Sequence, residues 1–517
     1  MSVVRPSAAL ILHRPGRAGR EVFLVERSKR LKFLGGHFAF PGGVVEEADR
    51  RLPLRGASAA APELLGCAAR ELFEETGVLV TSGGSPREAE LSADAAALRS
   101  TLSEDKASAI DLGRFLEERR LAIDAARFRP VARLITPRFS RHRFDTTFFL
   151  VEAQNEPSVL PGELVSGAWM LPSEALDAWR REHLLLAPPV IDLLECLTAP
   201  TLEAAVAAMQ AIPAEFEESG RSIRFGPGYE AVPLETPPLP PEIPTSTYLV
   251  GGRRFIVVDP APLREREQSH LFRTIDRRIA GGDELLAVVL THHHPDHVGA
   301  LDAARKRYER PLWAHRLTGQ LIRSPLDRTL EDGDEIDLGE HPGGGRAMRL
   351  RAVFTPGHAE GHIALHDEAA RAIVAGDLVS TLVSMYVGSP GGNLRQYFAS
   401  LERLRSLGLE VLYPAHGSPH WDPTDLIDDT LRHRKARIEE VHEALGDREW
   451  KPLELALEIY PEAVGKLRPL VERTTRASLE YLVEDGRAER RGEDGFARRG
   501  DQPPASSDSG GADRVSG

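Results

Sequence analysis

The segment Thr291-His292-His293-His294-Pro295-Asp296-His297 gathers four imidazoles and a carboxylate into seven residues. It directly follows the apolar run Leu285–Leu290, which reads as a strand. Backbone geometry at a strand end lets neighbouring side chains converge on one point, and imidazole with carboxylate suits zinc. Three later residues stand in the same context. His358 follows Arg349–Phe354, Asp377 follows Ala372–Ala375, and His416 follows Val411–Tyr413. A histidine-rich loop that merely caps a sheet would explain His292 alone, but not four strands that each end in a ligand type. His293, His315, His362 and His366 are expected to be structural or exposed rather than ligands.

A second constellation lies in Arg70-Glu71-Leu72-Phe73-Glu74-Glu75-Thr76-Gly77. On a helix, Glu71, Glu74 and Glu75 share one face. Their like charges repel unless a cation sits among them, and hard carboxylate oxygens suit magnesium or manganese. The bland alternative is an acidic helix stabilised by capping and solvent.

The elements that must position these groups divide the chain. Strand-like runs at Ala8–His13 and Glu21–Glu26 precede Phe40-Pro41-Gly42-Gly43, and the helix Leu64–Thr76 ends at Gly77. Residues 82–110 read as a surface insertion, and Phe148–Val151 as a further strand. Punctuation by Pro240-Pro241 marks a boundary. The expected domains are 1–195, a linker at 196–221, a second domain at 222–425, a helix with a small helical unit at 426–500, and a disordered tail at 501–517. A hairpin is expected from Tyr248–Val250 and Phe255–Val258, and a polar helix over 426–446. The fold class is α/β and α+β multidomain.

Composition narrows the partners. A net charge of −13 excludes a generally basic nucleic-acid coat. Two cysteines, Cys67 and Cys196, cannot form a disulfide framework. The run Ala8–Leu12 is too short for a signal core or a membrane span. The expectation is a soluble cytoplasmic protein with no membrane partner.

Residues 222–446 resemble a metallo-β-lactamase-fold hydrolase, through the H-x-H-x-D-H motif and the later His358, Asp377 and His416 in matching order. The resemblance implies an αβ/βα sandwich with two zinc ions. His292, His294 and His358 would hold one, and Asp296, His297 and His416 the other, with Asp377 bridging. Two divalent ions would lower the pKa of a shared water to about 7, and Asp296 would orient it. His294 separates the chain from the similar flavodiiron branch, which carries glutamate there. The stretch Leu239–Val250 and the helix with His433-Arg434-Lys435-Ala436-Arg437 are similar to the β-lactamase-like endoribonuclease and glyoxalase-II-like branch, and the C-terminal unit to its winged-helix-like end. A phosphodiester or thioester substrate follows, with single-stranded RNA as one candidate partner and His433 as a candidate substrate contact. Residues 471–500 balance seven acidic against seven basic residues, which gives little support for strong duplex binding.

With Pro41-Gly42-Gly43 upstream, residues 1–195 resemble a Nudix hydrolase, an α/β/α sandwich that cleaves nucleoside diphosphate derivatives. The resemblance implies that Glu71, Glu74 and Glu75 bind Mg2+ or Mn2+, with Glu74 and Glu75 catalytic, and that Arg70 orients them. The sequence departs from the usual box by an insertion between Gly43 and Arg70, and by Asp49 at the mid-box glutamate. The coenzyme-A-directed branch carries a similar insertion, and Arg143–Phe148 is similar to it. Arg138, Arg141 and Arg143 are candidate phosphate contacts, and Glu152 or Glu163 a late metal ligand. Two alternatives stay open: a Nudix module that senses a nucleotide without cleaving it, and a C-terminal half resembling mono-iron persulfide dioxygenases.

Overall fold

The structure, a computed structural model, describes residues 3–499 apart from 32–33, 86–91, 105–107, 215–220, 237–242, 323 and 447. The expected tail 501–517 and the Pro240-Pro241 punctuation lie outside the described residues. Among those described, no helix is long and apolar enough to cross a membrane.

In the N-terminal half, β1 (Val4–Pro15) is antiparallel to β2 (Arg20–Arg27) and parallel to Arg143–Glu152. β3 (His37–Ala39) pairs with the C-terminal end of β2 on the side of β1, Leu164–Met170 takes the other side of β2, and β4 (Gly42–Val44) pairs with β1. Side chains alternate across a strand, and both faces are apolar. Leu10, Leu12, Phe23 and Val25 pack towards α1 (Pro62–Thr76). Ile11, Val22 and Leu24 pack towards the helices Pro172–Arg180 and Pro188–Leu197. The result is a sheet covered on both faces. Gly77 ends α1 with φ +75°, a left-handed conformation that glycine adopts without a Cβ penalty.

Two expectations fail here. The span 82–110, read as a surface insertion, contributes the helix Ala93–Ser103, and Ala109–Glu118 follows. Ala95, Leu102, Leu112, Phe115 and Leu116 recur at helical spacing and are buried in the core beneath α1. The span 196–221, read as a linker that includes a short alanine-rich helix, does hold that helix at Leu202–Gln210, but its Ala205, Val206 and Met209 complete the opposite core rather than spanning between domains.

The C-terminal half is two facing sheets. The seven-stranded one runs from Ile223–Gly226 through Thr245–Gly251, Arg254–Val258 and Glu284–Leu290 to Arg328–Thr329. The five-stranded one holds Glu335–Glu340, Ala347–Phe354, Ile363–Asp367, Ala372–Gly376 and Val411–Pro414. Tyr248, Val250, Ile256 and Val289 from the first meet Leu350, Ile363, Leu365 and Val374 from the second in one core. The expected hairpin is present, as Thr245–Gly251 and Arg254–Val258 are antiparallel. Outside the five-stranded sheet lie the helices Leu394–Ser406 and Pro423–Leu445. The latter, read as polar, carries a buried stripe of Ile427, Leu431, Ile438, Val441 and Leu445. Two further helices, Pro452–Ile459 and Arg468–Glu484, precede the short hairpin Ala488–Arg491 and Gly495–Arg498.

Specific contacts join the halves. Arg224 pairs with Asp192 and Glu195. Arg346 donates to both carboxylate oxygens of Glu182 at 3.1 Å. Arg141 donates to the Leu382 carbonyl at 2.9 Å.

Candidate metal centre

Each candidate ligand of the C-terminal half sits just beyond a strand end, and the two sheets bring those ends to one edge. Leu290 leads to His292, Phe354 to His358, Gly376 to Asp377 and Pro414 to His416. His292, His297, His358, Asp377 and His416 are buried. Three sets of ligand atoms lie within 4.8 Å of one another: His292, His294, His358 and Asp377; Asp296, His297 and His416; and Asp259, His292 and His297.

The hydrogen bonds fix which ring nitrogens face inward. Thr291 Oγ1 donates to Asp259 at 2.6 Å, so towards His292 Nδ1, at 3.0 Å, it accepts. His358 Nδ1 donates to the Tyr386 carbonyl at 2.7 Å. His297 Nδ1 donates to Asp259 at 2.8 Å, and His416 Nδ1 to the Pro244 carbonyl at 3.1 Å. In each neutral ring the Nε2 is then a lone pair.

These lone pairs face one another. His358 Nε2 lies 3.3 Å from His292 Nε2, and His294 Nδ1 lies 3.0 and 2.9 Å from these two nitrogens. Ligands about 2.1 Å from a tetrahedral ion sit roughly 3.4 Å apart, so the trio has the spacing one cation imposes. Asp377 directs Oδ2 to within 3.4 Å of His358 Nε2, and Oδ1 to 3.3 Å from both His297 and His416 Nε2. One carboxylate thereby serves both sets. Asp296 Oδ2 completes the second at 3.5 Å from His416. His297 Nε2 and Asp377 Oδ1 are buried without a hydrogen-bond partner, as befits groups that hold cations. The residues fit two ions.

Electrostatics separates the two sets. Burial, then neighbouring imidazoles, push His292 well below the ordinary range. Burial pushes His358 well below it too, and His294 down to about 4. Burial also opposes charge on His297, but Asp377, Asp259 and Asp296 outweigh it and hold its proton affinity well above the usual value. His416 is raised by Asp377 against the same burial.

Asp259 and Thr291 escaped the sequence reading. Asp259 is 2% exposed, has φ +54°, and accepts from Thr291 N–H, Thr291 Oγ1 and His297 Nδ1. Asp259 directly follows the strand Arg254–Val258, the same context that singled out Asp377, and that signal went unused. His362 stands behind the ligands, where its Nε2 accepts from the Asp377 N–H at 3.1 Å. His315 and His366 stay outside the ligand sets, as expected.

The N-terminal glutamates are arranged differently. Arg70 is buried and donates to Asp49 through Nε (2.8 Å) and Nη2 (3.2 Å), to Glu71 (2.8 Å) and to the Val44 carbonyl (3.0 Å). Asp49 is a partner of Arg70 rather than a fourth acidic ligand. Glu75 accepts from the Gly42 N–H at 2.9 Å. Gly43 leaves room for Glu71 beside the same segment, because a Cβ there would lie 2.1 Å from Glu71 Oε1. The three glutamates are not among the sets gathered within 4.8 Å. Burial raises Glu71 to about 7, with Arg70 opposing and Glu74 adding, and raises Glu75 well above the carboxylate range. Glu71 and Glu75, with raised proton affinity on one helix face, are suited to a divalent cation that would replace their protons.

A cleft of about 2590 Å3 runs between the halves, with Glu71, Glu74, Glu75 and Glu163 on one wall and Trp421 and His433 on the other. His433 Nδ1 is 3.5 Å from Ser384 Oγ. Arg141 lines this cleft. Arg138, exposed at its side chain, is paired with Glu235 at 2.6 Å. Arg143 is turned to the Thr136 carbonyl, and Glu152 is exposed at its strand end.

Comparisons with known proteins agree with this division. A family model of the metallo-beta-lactamase superfamily matches residues 240–416. The NUDT19 Nudix domain matches 60–196 and the NUDIX domain 4–82. The lactamase-like protein adaB of Aspergillus niger is 32% identical over 205 residues, 39% of this chain and 58% of that protein. The chain thus spans little more than half the length of that relative. The beta-lactamase-like protein 2 homolog of Caenorhabditis elegans is 25% identical over 47% of this chain and 79% of its own. A NUDIX hydrolase from Alicyclobacillus acidocaldarius is 29% identical over 41% of this chain and all of its own, with a TM-score of 0.36. The two ligand sets therefore belong to two family domains in one chain: a Nudix domain, followed by a domain of the metallo-β-lactamase superfamily.

Proposed function

We propose that the C-terminal half is a two-metal hydrolase of a phosphodiester or thioester, and that the N-terminal half hydrolyses a nucleoside diphosphate derivative, coenzyme A among the candidates. The carrying observation is Asp377, which turns one oxygen to each of two histidine sets. Zinc suits this nitrogen-rich set, and Mg2+ or Mn2+ the glutamates. Two such ions would supply Lewis acidity and an activated water. The chain's own residues do the rest. Asp296, 20% exposed at its side chain, is placed to orient a water and accept its proton. Asp259 and the carbonyls of Tyr386 and Pro244 keep the imidazoles in the tautomer that presents Nε2 inward. The second set, Asp296, His297 and His416, favours two ions over the single iron of a dioxygenase.

In the N-terminal half, Arg70 fixes Glu71, and Gly42 fixes Glu75. A second reading, a module that binds a nucleotide without cleaving it, is favoured by one observation: Arg70 occupies Glu71 Oε1.

The purified chain should hold about two zinc ions in the C-terminal half. Changing both Asp296 and His358 to Ala should abolish turnover across a panel of phosphodiesters, thioesters and single-stranded RNA, and spare magnesium-dependent cleavage of diphosphate derivatives. Full turnover in that double variant overturns the assignment. Glu74→Gln and Glu75→Gln should abolish the diphosphate cleavage; binding without turnover in the unaltered chain supports the sensing alternative.

A further inference from the structure

One cation in the cleft is used by nothing described so far. Arg27 closes β2 and lines the cleft beside the glutamates. Val25 pairs with Ala39 and Glu26 with Phe38, and the Gly36 N–H donates to the Arg27 carbonyl. That register sets Arg27 opposite His37. Alternation along β2 puts Arg27 on the face of Phe23 and Val25, which is the face covered by α1 and its glutamates. Its charge is felt at both Glu75 and His37. Its Nε is buried and has no hydrogen-bond acceptor. Arg70, by contrast, is bonded to Asp49, Glu71 and Val44. A buried guanidinium nitrogen without an acceptor is costly, and a planar donor fork matches a phosphate. Lys29 and Arg30 line the same wall.

The facing wall comes from the other half of the chain. Trp421 lines the cleft with its ring perpendicular to that of His37, centroids 4.4 Å apart, and tilted beside Phe225 at 6.3 Å. His37 is thus flanked by Arg27 and by Trp421. An indole at the edge of a phosphate-binding cleft offers an apolar face to an organic group.

We propose that the cleft is one composite binding site for a magnesium diphosphate ester, in which Arg27 receives a phosphate and Trp421 of the C-terminal half receives the organic group attached to it. The inference rests on the Nudix reading for its cation and adds that the metallo-β-lactamase half shapes what the Nudix half binds.

The test measures calorimetric binding of two probes, Mg2+–pyrophosphate and Mg2+–ADP, to the full chain. Arg27→Gln should weaken both at least tenfold, and Arg27→Lys should restore part of the loss. Trp421→Ala should weaken ADP about tenfold and leave pyrophosphate within twofold; Trp421→Leu, which keeps apolar volume, should do the same should the smaller side chain disturb folding. An unchanged thermal unfolding profile of the full chain certifies each variant as folded. Unchanged pyrophosphate affinity in Arg27→Gln overturns the proposal, as does an equal effect, or none, of Trp421 replacement on the two probes. No binding of either probe to the unaltered chain overturns it as well. Failure of the hydrolysis reading has a different signature: the probes bind with these differences, yet diphosphate esters are not cleaved.

Discussion

Asp259→Asn tests the logic of the metal centre most sharply. The carboxylate serves three donors: Thr291 N–H on Oδ1, and Thr291 Oγ1 and His297 Nδ1 on Oδ2. An amide of the same shape has one acceptor oxygen. With that oxygen in the Oδ2 position, its NH2 confronts the Thr291 N–H. With the oxygen in the Oδ1 position, its NH2 confronts His297 Nδ1, and the ring can make that bond only by moving its proton to Nε2. Nε2 is the atom turned towards Asp377 and Asp296, so the tautomer that satisfies the amide blocks the ligand. Loss of an orienting partner weakens metal binding about 10- to 100-fold, or roughly 1.4–2.7 kcal/mol. Asp259 is 2% exposed, so solvent does not soften the effect. The His292 set keeps its own anchor at Tyr386. The expected result is therefore asymmetric. Against a competing chromophoric chelator, one zinc per chain should be released at least tenfold more readily, and the other should shift less than threefold. Two ions retained at unchanged affinity would refute the argument, and so would equal loss of both.

Three further outcomes follow from the same geometry. His297 and His416 have raised proton affinity, whereas His292 and His358 are held well below the usual value and His294 at about 4. Protons therefore compete for the second set first, and stepwise dialysis from pH 8 to 5 should release that ion before the other; simultaneous release counts against the assignment. In the N-terminal half Glu71 is raised to about 7 and Glu75 further. Such raised carboxyls favour the fold below their unfolded pKa, near 4.5, and that contribution is lost as pH rises through the folded value. Mg2+ should relieve this, so the gain in Tm on adding Mg2+ should be larger at pH 8 than at pH 5.5, and an equal gain at both would contradict it. Finally, Gly43→Ala puts a methyl 2.1 Å from Glu71 Oε1; it should weaken Mg2+ binding about tenfold while zinc content is unchanged, as calorimetry and elemental analysis can show.

The legibility of this chain followed the type of constraint. A ligand at a strand end is dictated locally: the apolar run Leu285–Leu290 predicts the strand, and whatever follows must emerge at the sheet edge. Four such runs place His292, His358, Asp377 and His416 at one sheet edge, and the structure brings them within reach of common points. Glu71, Glu74 and Glu75 were legible as one helix face for the same local reason. Their final disposition was not, because it depends on Arg70 reaching Asp49 across 21 positions of sequence. Asp259 also follows an apolar strand, so its place at the sheet edge was legible, but its role was not: that comes from three donors supplied by a strand end more than thirty residues away. The helix Ala93–Ser103 was misjudged because its apolar positions are mostly alanine, spaced among Ser, Asp and Arg, and only the fold shows that Ala95 and Leu102 are buried; the alanine-rich helix Leu202–Gln210 was legible as a helix, but not the core it completes. The same distinction bears on function. Metal binding is written in short segments, whereas the cleft is lined by both halves, with Arg27 from one and Trp421 from the other. Under the composite-site proposal, substrate choice is a property of how the halves are joined rather than of the metal-binding segments of either.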